Sequence, residues 1–263
     1  MAECIHGFET ELCDICSPRV APEPTKPVRA PRASKPAVER RPVATPATRT
    51  PGSSSRVGEH SAVPFAAQRV YHVTHVRNLE MIILDGEIRA GATPEIDISS
   101  AHTRELRTLA AVRPGVSVAE HVPFYLTPNA TRWNELRSGA EGVFWSDAAR
   151  EARPSDFVAL VTTMAGIGPD VVVADGDAVS PVTRFATGAE DGRTLLRRAR
   201  AADPDLLEAE VLAPGSIPFS AVALIGVSND KIRARVKDLL AEADGHTPRI
   251  AVYPPWFLPA DQD

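Results

Sequence analysis

The sequence predicts an α+β fold with a mixed, mainly antiparallel sheet and flanking helices, and three observations lead there. Stretches with strand and helix character follow one another irregularly, without the βαβ alternation that builds a doubly wound parallel sheet. Composition breaks sharply: residues 17–64 hold ten of the 24 prolines and no aromatic residue, whereas apolar runs begin at Phe65. All three cysteines, Cys4, Cys13 and Cys16, lie in the first sixteen residues. The chain therefore divides into an N-terminal block 1–16, a linker 17–64 and a folded domain 65–263, and 263 residues are ample for a real core.

Within the domain, "RVYHVTHV" reads as a strand, rich in β-branched and aromatic residues. Asn78 is placed to cap "LEMIILD", whose Leu79, Ile82 and Ile83 share a face, and Gly86 ends that helix. "AHTRELRTLAAV" reads as a second short helix. "VPFYLTP" and "DFVALVTTM" have strand composition, and "DVVVADGD" is a strand that ends in a turn. "RTLLRRARAAD" is helical, "LLEAEVLAP" extended and "AVALIGVS" a buried strand. "DKIRARVKDLLAEA" sets Ile232, Val236, Leu239 and Leu240 at helical spacing ahead of a last strand, "PRIAVYP".

The N-terminal block "CIHGFETELCDIC" adds His6 to the three cysteines. Four soft or borderline ligands in thirteen positions, with a C-x-x-C bite, suit a tetrahedral structural zinc. All four positions would be filled by protein, leaving none open for catalysis. The competing reading is three free thiols beside a chance histidine. The linker cannot bury apolar area and reads as a disordered, polyproline-like tether. It carries nine Lys/Arg, three Glu and no Asp, about +6 in a chain of net charge −5, so the remainder sums to about −11. A partner reached through long-range electrostatics meets this segment first. No apolar run approaches the roughly 18 residues of a membrane span, so no membrane partner is expected. "MAECIHGFETEL" lacks a basic start and an apolar h-region, which argues against a signal peptide, so a cytoplasmic location is the expectation.

Several chemistries are excluded. G-x-G-x-x-G, the P-loop pattern, H-E-x-x-H and G-x-S-x-G are all missing, and without a cysteine the domain has no thiol nucleophile. His72 and His75 in "YHVTHVRNL" lack a nearby third ligand, so a second metal site there is the weakest use for them.

Four segments, taken in order, resemble the DarT-type single-stranded-DNA ADP-ribosyltransferases. "YHVTHVRNL" is similar to the family's "YHITHIDNL"-like opening strand and helix. "AHTRELR" at 101–107 matches a segment like "AHIQERR", and "EHVPFYLTP" at 120–128 matches "DYVPFYF". "EAEVLAPGSIPFS" at 208–220 matches the late glutamate-bearing strand. Order and spacing together cover roughly residues 67–256, which makes the set specific where each part alone is weak. The resemblance implies an ADP-ribosyltransferase-like split sheet and transfer of ADP-ribose from NAD to thymine in single-stranded DNA. It also implies a toxin or phage-defence role, with a macrodomain hydrolase as antitoxin.

The implied roles carry over residue by residue. His72, Val73 and Thr74 match the NAD-binding strand, Arg107 the arginine that holds the dinucleotide and orients the target base, and Glu210 the catalytic glutamate. Residues 91–109 match an element closing over NAD, and 163–210 contain the loop presenting the acceptor. The chain departs from the family at Asp177, which stands where a histidine is usual, at "PNATR" in place of "PRSPM", and at Phe219 in place of a tryptophan.

The residue chemistry agrees with these roles. Breaking the nicotinamide–ribose bond builds positive charge on the sugar, as in glycoside hydrolysis, and a carboxylate meets such charge. Glu208 and Glu210 fall on one face of an extended segment, where mutual repulsion raises one pKa, unless both are solvated. Phe124 and Tyr125 suit a pocket wall or a stacking platform. Other acceptors, RNA or protein, remain alternatives, as does an inactive nucleic-acid-binding adaptor.

Overall fold

The structure, a computed structural model, describes residues 63–243 and 245–259. The N-terminal readings, zinc at Cys4, His6, Cys13 and Cys16 and the linker over 17–64 apart from its last two residues, lie outside the described residues.

The strands are β1 (Arg69–His75), β2 (Glu87–Arg89), β3 (Ala111–Arg113), β4 (Val116–Ser117), β5 (His121–Tyr125) and β6 (Phe157–Thr163). They continue as β7 (Val172–Ala174), β8 (Phe185–Thr187), β9 (Glu210–Pro214), β10 (Ser216–Pro218), β11 (Leu224–Val227) and β12 (Arg249–Val252). The helices are α1 (Leu79–Asp85), α2 (Ala101–Leu109), α3 (Thr131–Arg137), α4 (Asp147–Glu151), α5 (Met164–Ile167), α6 (Ala189–Ala202) and α7 (Asp230–Ala241).

Eight strands form the main sheet, in the order β12-β11-β6-β1-β5-β9-β7-β8. Only β11 and β12 run parallel, joined through α7; the other ladders are antiparallel. β6 is buried at six of its seven positions because it lies between β1 and β11 with both faces covered, so it reads as a continuous apolar run. One face packs the larger core, including Val70, Phe124, Leu160, Val211 and Ile225. The other carries Trp133, Phe157 and Ala159 in one cluster, and Leu212 with Val172 in another. Gly226 admits the Trp256 ring against the sheet: a Cβ there would lie 2.5 Å from Trp256 Cζ3.

The sheet is split in the middle. β1 and β6 pair over seven residues, but β1 and β5 share a single pair, Tyr71 with Tyr125. Proline at 123 has no N–H to give to a ladder, so the strands part there. The imidazole of His72 takes up the freed acceptor, donating from Nδ1 to the Pro123 carbonyl at 2.9 Å.

Some boundaries differ from the sequence reading. The second helix ends at Leu109 rather than continuing to Val112, because Arg113 precedes Pro114 and is biased to extended backbone; it closes β3 of a small hairpin with β4. Asn78 precedes α1 but makes no cap with its side chain, which is committed elsewhere. Gly86, at φ 70°, ends α1 as its left-handed conformation requires. The helix read from Arg193 begins four residues earlier, at Ala189. The extended segment read from Leu206 becomes a strand only at Glu210, since Leu206 turns the chain with φ 54°. Among the described residues, no helix is long and apolar enough to cross a membrane.

Candidate active site

The end of α2, the last residue of β5, the start of α3, the β7–β8 loop and the first residue of β9 bring titratable groups together. Pairing across the sheet places Tyr71, Tyr125, Glu210 and Ala174 in one row on adjacent strands, so their side chains share a face. Glu210 opens β9 and is 6% exposed. Arg107 reaches it from the last turn of α2, with Nη1 3.8 Å from Glu210 Oε2. That separation is an ion pair without a hydrogen bond. Arg107 Nη2 donates weakly to the carbonyls of Val118 and His121, each at 3.4 Å, and the Ser117 hydroxyl holds the Arg107 carbonyl at 2.8 Å.

Glu210 Oε2 is buried and has no hydrogen-bond partner among the described residues. Burial pushes the Glu210 carboxyl up to about 7. Arg107 opposes the rise, Asp177 adds to it, and the Ala178 backbone N–H and Arg132 oppose it. A carboxyl poised near neutrality with one empty acceptor position is suited to receive a hydroxyl hydrogen bond or a proton. Tyr125 beside it has its phenol pushed well above the usual value by burial and by the Glu210 charge, so it stays protonated.

Glu208 is not part of this group. It stands in the bend before β9 and is exposed, so the expected same-face pair of glutamates does not form. The like charge near Glu210 is Asp177, which the sequence marked only as a departure from the family pattern. Glu208 and Asp177 both line an open groove of about 540 Å³ with Asp175, Ser180, Thr183 and Arg184.

His72 and Thr74 alternate with Tyr71 on β1, so they start from the opposite pleat face to Tyr125 and Glu210. His72 turns into the split between β1 and β5, where its ring lies 5.5 Å from that of Phe124. Burial lowers its pKa, the Pro123 hydrogen bond opposes this, and the Arg107 charge lowers it further. The ring is thus neutral with its proton on Nδ1, leaving Nε2 as an acceptor. Thr74 is buried, and its Oγ1 accepts from Asn78 Nδ2 at 3.1 Å. Asn78 also bonds both backbone groups of Ile96, so it fastens the 90–100 loop to the end of β1. His75 is scaffold: it caps the turn after β1 and meets Phe157 edge-on.

Two contributors escaped the sequence reading, Arg132 of α3 and the site role of Asp177. Arg132 donates from Nε to Asp177 Oδ2 at 3.0 Å and from Nη2 to the same oxygen. Its Nη1 meets Glu135 at 2.9 Å, and its guanidinium lies 3.9 Å over the Phe144 ring. Trp133 and Leu136, buried three positions apart ahead of Gly139, were the signal for α3.

Comparison with known proteins places this arrangement. The family model for DarT, ssDNA thymidine ADP-ribosyltransferase, matches residues 71–258. The chain belongs to the DarT family. A DNA ADP-ribosyl transferase of Thermus sp. (strain 2.9) is 25% identical over 205 residues, covering 72% of this chain and 95% of that protein. A DNA ADP-ribosyl transferase of Mycobacterium tuberculosis is 26% identical over 198 residues, covering 67% of this chain and 83% of its own. The solved Thermus sp. 2.9 DarT in complex with ADP-ribosylated ssDNA is similar with TM-score 0.61 at 25% identity, covering 72% of this chain and 96% of that one. The same DarT in complex with NAD+ gives TM-score 0.59 at 23% identity, over 72% of this chain and 97% of that one. The DarT match spans the elements that carry Arg107, Tyr125, Arg132, Asp177 and Glu210, and stops short of residues 1–70.

Proposed function

We propose that the chain transfers ADP-ribose from NAD to a nucleobase of single-stranded DNA, with thymine as the base, and releases nicotinamide. The observation that carries this is Glu210: a buried carboxyl, poised near pH 7, 3.8 Å from Arg107 and with an acceptor oxygen left open. Transfer breaks the bond between ribose and nicotinamide, which leaves with the electron pair. A base nitrogen then bonds to the sugar carbon and gives up its proton. Glu210 accepts a hydrogen bond from a ribose hydroxyl, stabilises the developing positive charge and takes the proton of the base. Arg107 forks to the dinucleotide phosphates or to a base oxygen. His72, Val73 and Thr74, at the split of the sheet, form the wall against which NAD lies. The groove of Asp177 and Glu208 is the acceptor side.

The family assignment supports a toxin, restrained by a macrodomain partner that removes the mark and acting in the cytoplasm. The N-terminal Cys4, His6, Cys13 and Cys16 hold a structural zinc in this reading, ahead of a linker over 17–64 and the transferase domain over 65–263.

Labelled NAD offered together with thymine-containing oligonucleotides, RNA and protein tests the reading. The expected result is label on single-stranded DNA, reduced at least about 100-fold in Glu210→Ala. Label on RNA or protein alone would move the acceptor, and equal labelling by wild type and variant would remove Glu210 from catalysis.

A further inference from the structure

We propose that Arg132 and Asp177 act together as a positioning pair for Glu210, with the ion pair between α3 and the β7–β8 loop setting both the place and the charge environment of that carboxylate. This rests on Glu210 being the catalytic glutamate.

Asp177 organises the turn beside the site. Its Oδ1 accepts from Val179 N at 3.1 Å, and its carbonyl accepts from Ser180 N at 2.9 Å and from the Thr183 hydroxyl at 2.6 Å. The next residue, Ala178, is 1% exposed, and its backbone N–H favours the charged form of Glu210. The turn that Asp177 shapes therefore carries the backbone group that favours the Glu210 carboxylate. Arg132 anchors Asp177 through two nitrogens to one oxygen, and is itself held by Glu135 and by the Phe144 ring. A guanidinium fixed on three sides is a rigid mount in a way that a lysine is not.

The same pair sets the field at Glu210. The charged or titratable groups facing it are Arg107 from α2, Tyr125 from β5, Arg132 from α3 and Asp177 from the β7–β8 loop. Arg132 and Asp177 act on Glu210 with opposite sign, Asp177 the more strongly. Removing either one shifts the balance in a known direction. With Asp177→Asn, Arg132 loses its counter-charge and favours the carboxylate form. With Arg132→Gln, the Asp177 charge stands uncompensated and disfavours that form.

The experiment is a pH profile of transfer for wild type, Asp177→Asn, Arg132→Gln and the double variant, alongside a 13C carboxyl NMR titration of Glu210 assigned by difference from Glu210→Gln. The expected acid limb and the NMR midpoint move down by at least roughly half a unit in Asp177→Asn and up by a similar amount in Arg132→Gln. The double variant returns towards wild type in midpoint while kcat stays at least about tenfold low, because the turn has lost its mount. Arg132→Lys keeps the wild-type midpoint and recovers part of kcat. Shifts of the same sign, or folded variants with unmoved midpoints, would overturn the proposal. Failure of the wild type to label any acceptor would sink the transferase reading instead, and the NMR titration would still decide the pairing.

Discussion

Burial and charge oppose each other at Glu210, and the opposition has a measurable sign. The carboxyl is 6% exposed and its pKa stands near 7, raised first by burial. Between the ordinary 4.5 and about 7, the folded protein keeps a proton that the unfolded chain releases, so stability falls as pH rises through that window. Above it the full cost applies, roughly 3 kcal/mol at about 1.4 kcal/mol per pKa unit. Glu210→Gln removes the charge but keeps the shape. Its thermal midpoint is expected to exceed wild type by several degrees at pH 8 and to match it at pH 4, where wild-type Glu210 is also neutral. An equal change at both pH values would mean that packing, not ionisation, separates the two proteins. The sequence pointed at Glu210 and Arg107 through motif order, but not at the source of the perturbation. It offered Glu208 as the neighbouring carboxylate, and Asp177 holds that place because Leu206 turns the chain before the strand begins.

At the scale of elements, legibility followed periodicity. β1, α1, β6, β11 and α7 stand where β-branched runs or helical spacing put them, since each buries a face that its own residues declare. The short pieces did not declare themselves. α3, with Trp133 and Leu136 as its apolar pair, and α4, five residues long, carry less of a pattern than the Leu79, Ile82 and Ile83 of α1. Asn78 shows a local signal redirected by tertiary structure: in sequence it reads as a helix cap, yet its amide bonds Thr74 and both backbone groups of Ile96. Those three bonds join β1 to the loop that leads into α2 and hence to Arg107. Asn78→Ala leaves two backbone groups and a hydroxyl without partners and should cost about 2–3 kcal/mol in urea unfolding. The same variant should raise KM for NAD more than it lowers kcat. A drop in kcat at unchanged KM would place the loop in the chemical step rather than in binding.

For the molecule as a whole, charge is distributed against the expected substrate. The linker carries about +6, while the rest of the chain sums to about −11. The groove proposed for the acceptor holds Asp175, Asp177 and Glu208 with Arg184, which is tied to Asp175 at 2.8 Å. A groove of that composition has little to offer phosphates, so under the proposed function base contacts fall to it and sequence-independent attraction to the basic residues of 17–64. Spacing along the chain did not show that α3 and the β7–β8 loop join α2 and β9, because these elements meet only through the sheet; the resemblance alone put Arg107 with Glu210. The charge asymmetry, by contrast, was fully visible, and it yields a prediction about residues 1–64. Their removal should weaken single-stranded DNA binding at low salt and flatten the slope of log K against log salt by up to about 4, from roughly 0.7 per neutralised phosphate. It should also remove one equivalent of zinc, while kcat at saturating oligonucleotide stays within about twofold. Binding isotherms across a salt series, with metal analysis of both forms, measure each part. An unchanged slope would assign the electrostatic work to the domain, and equal metal content in the two forms would take zinc away from the cysteine cluster.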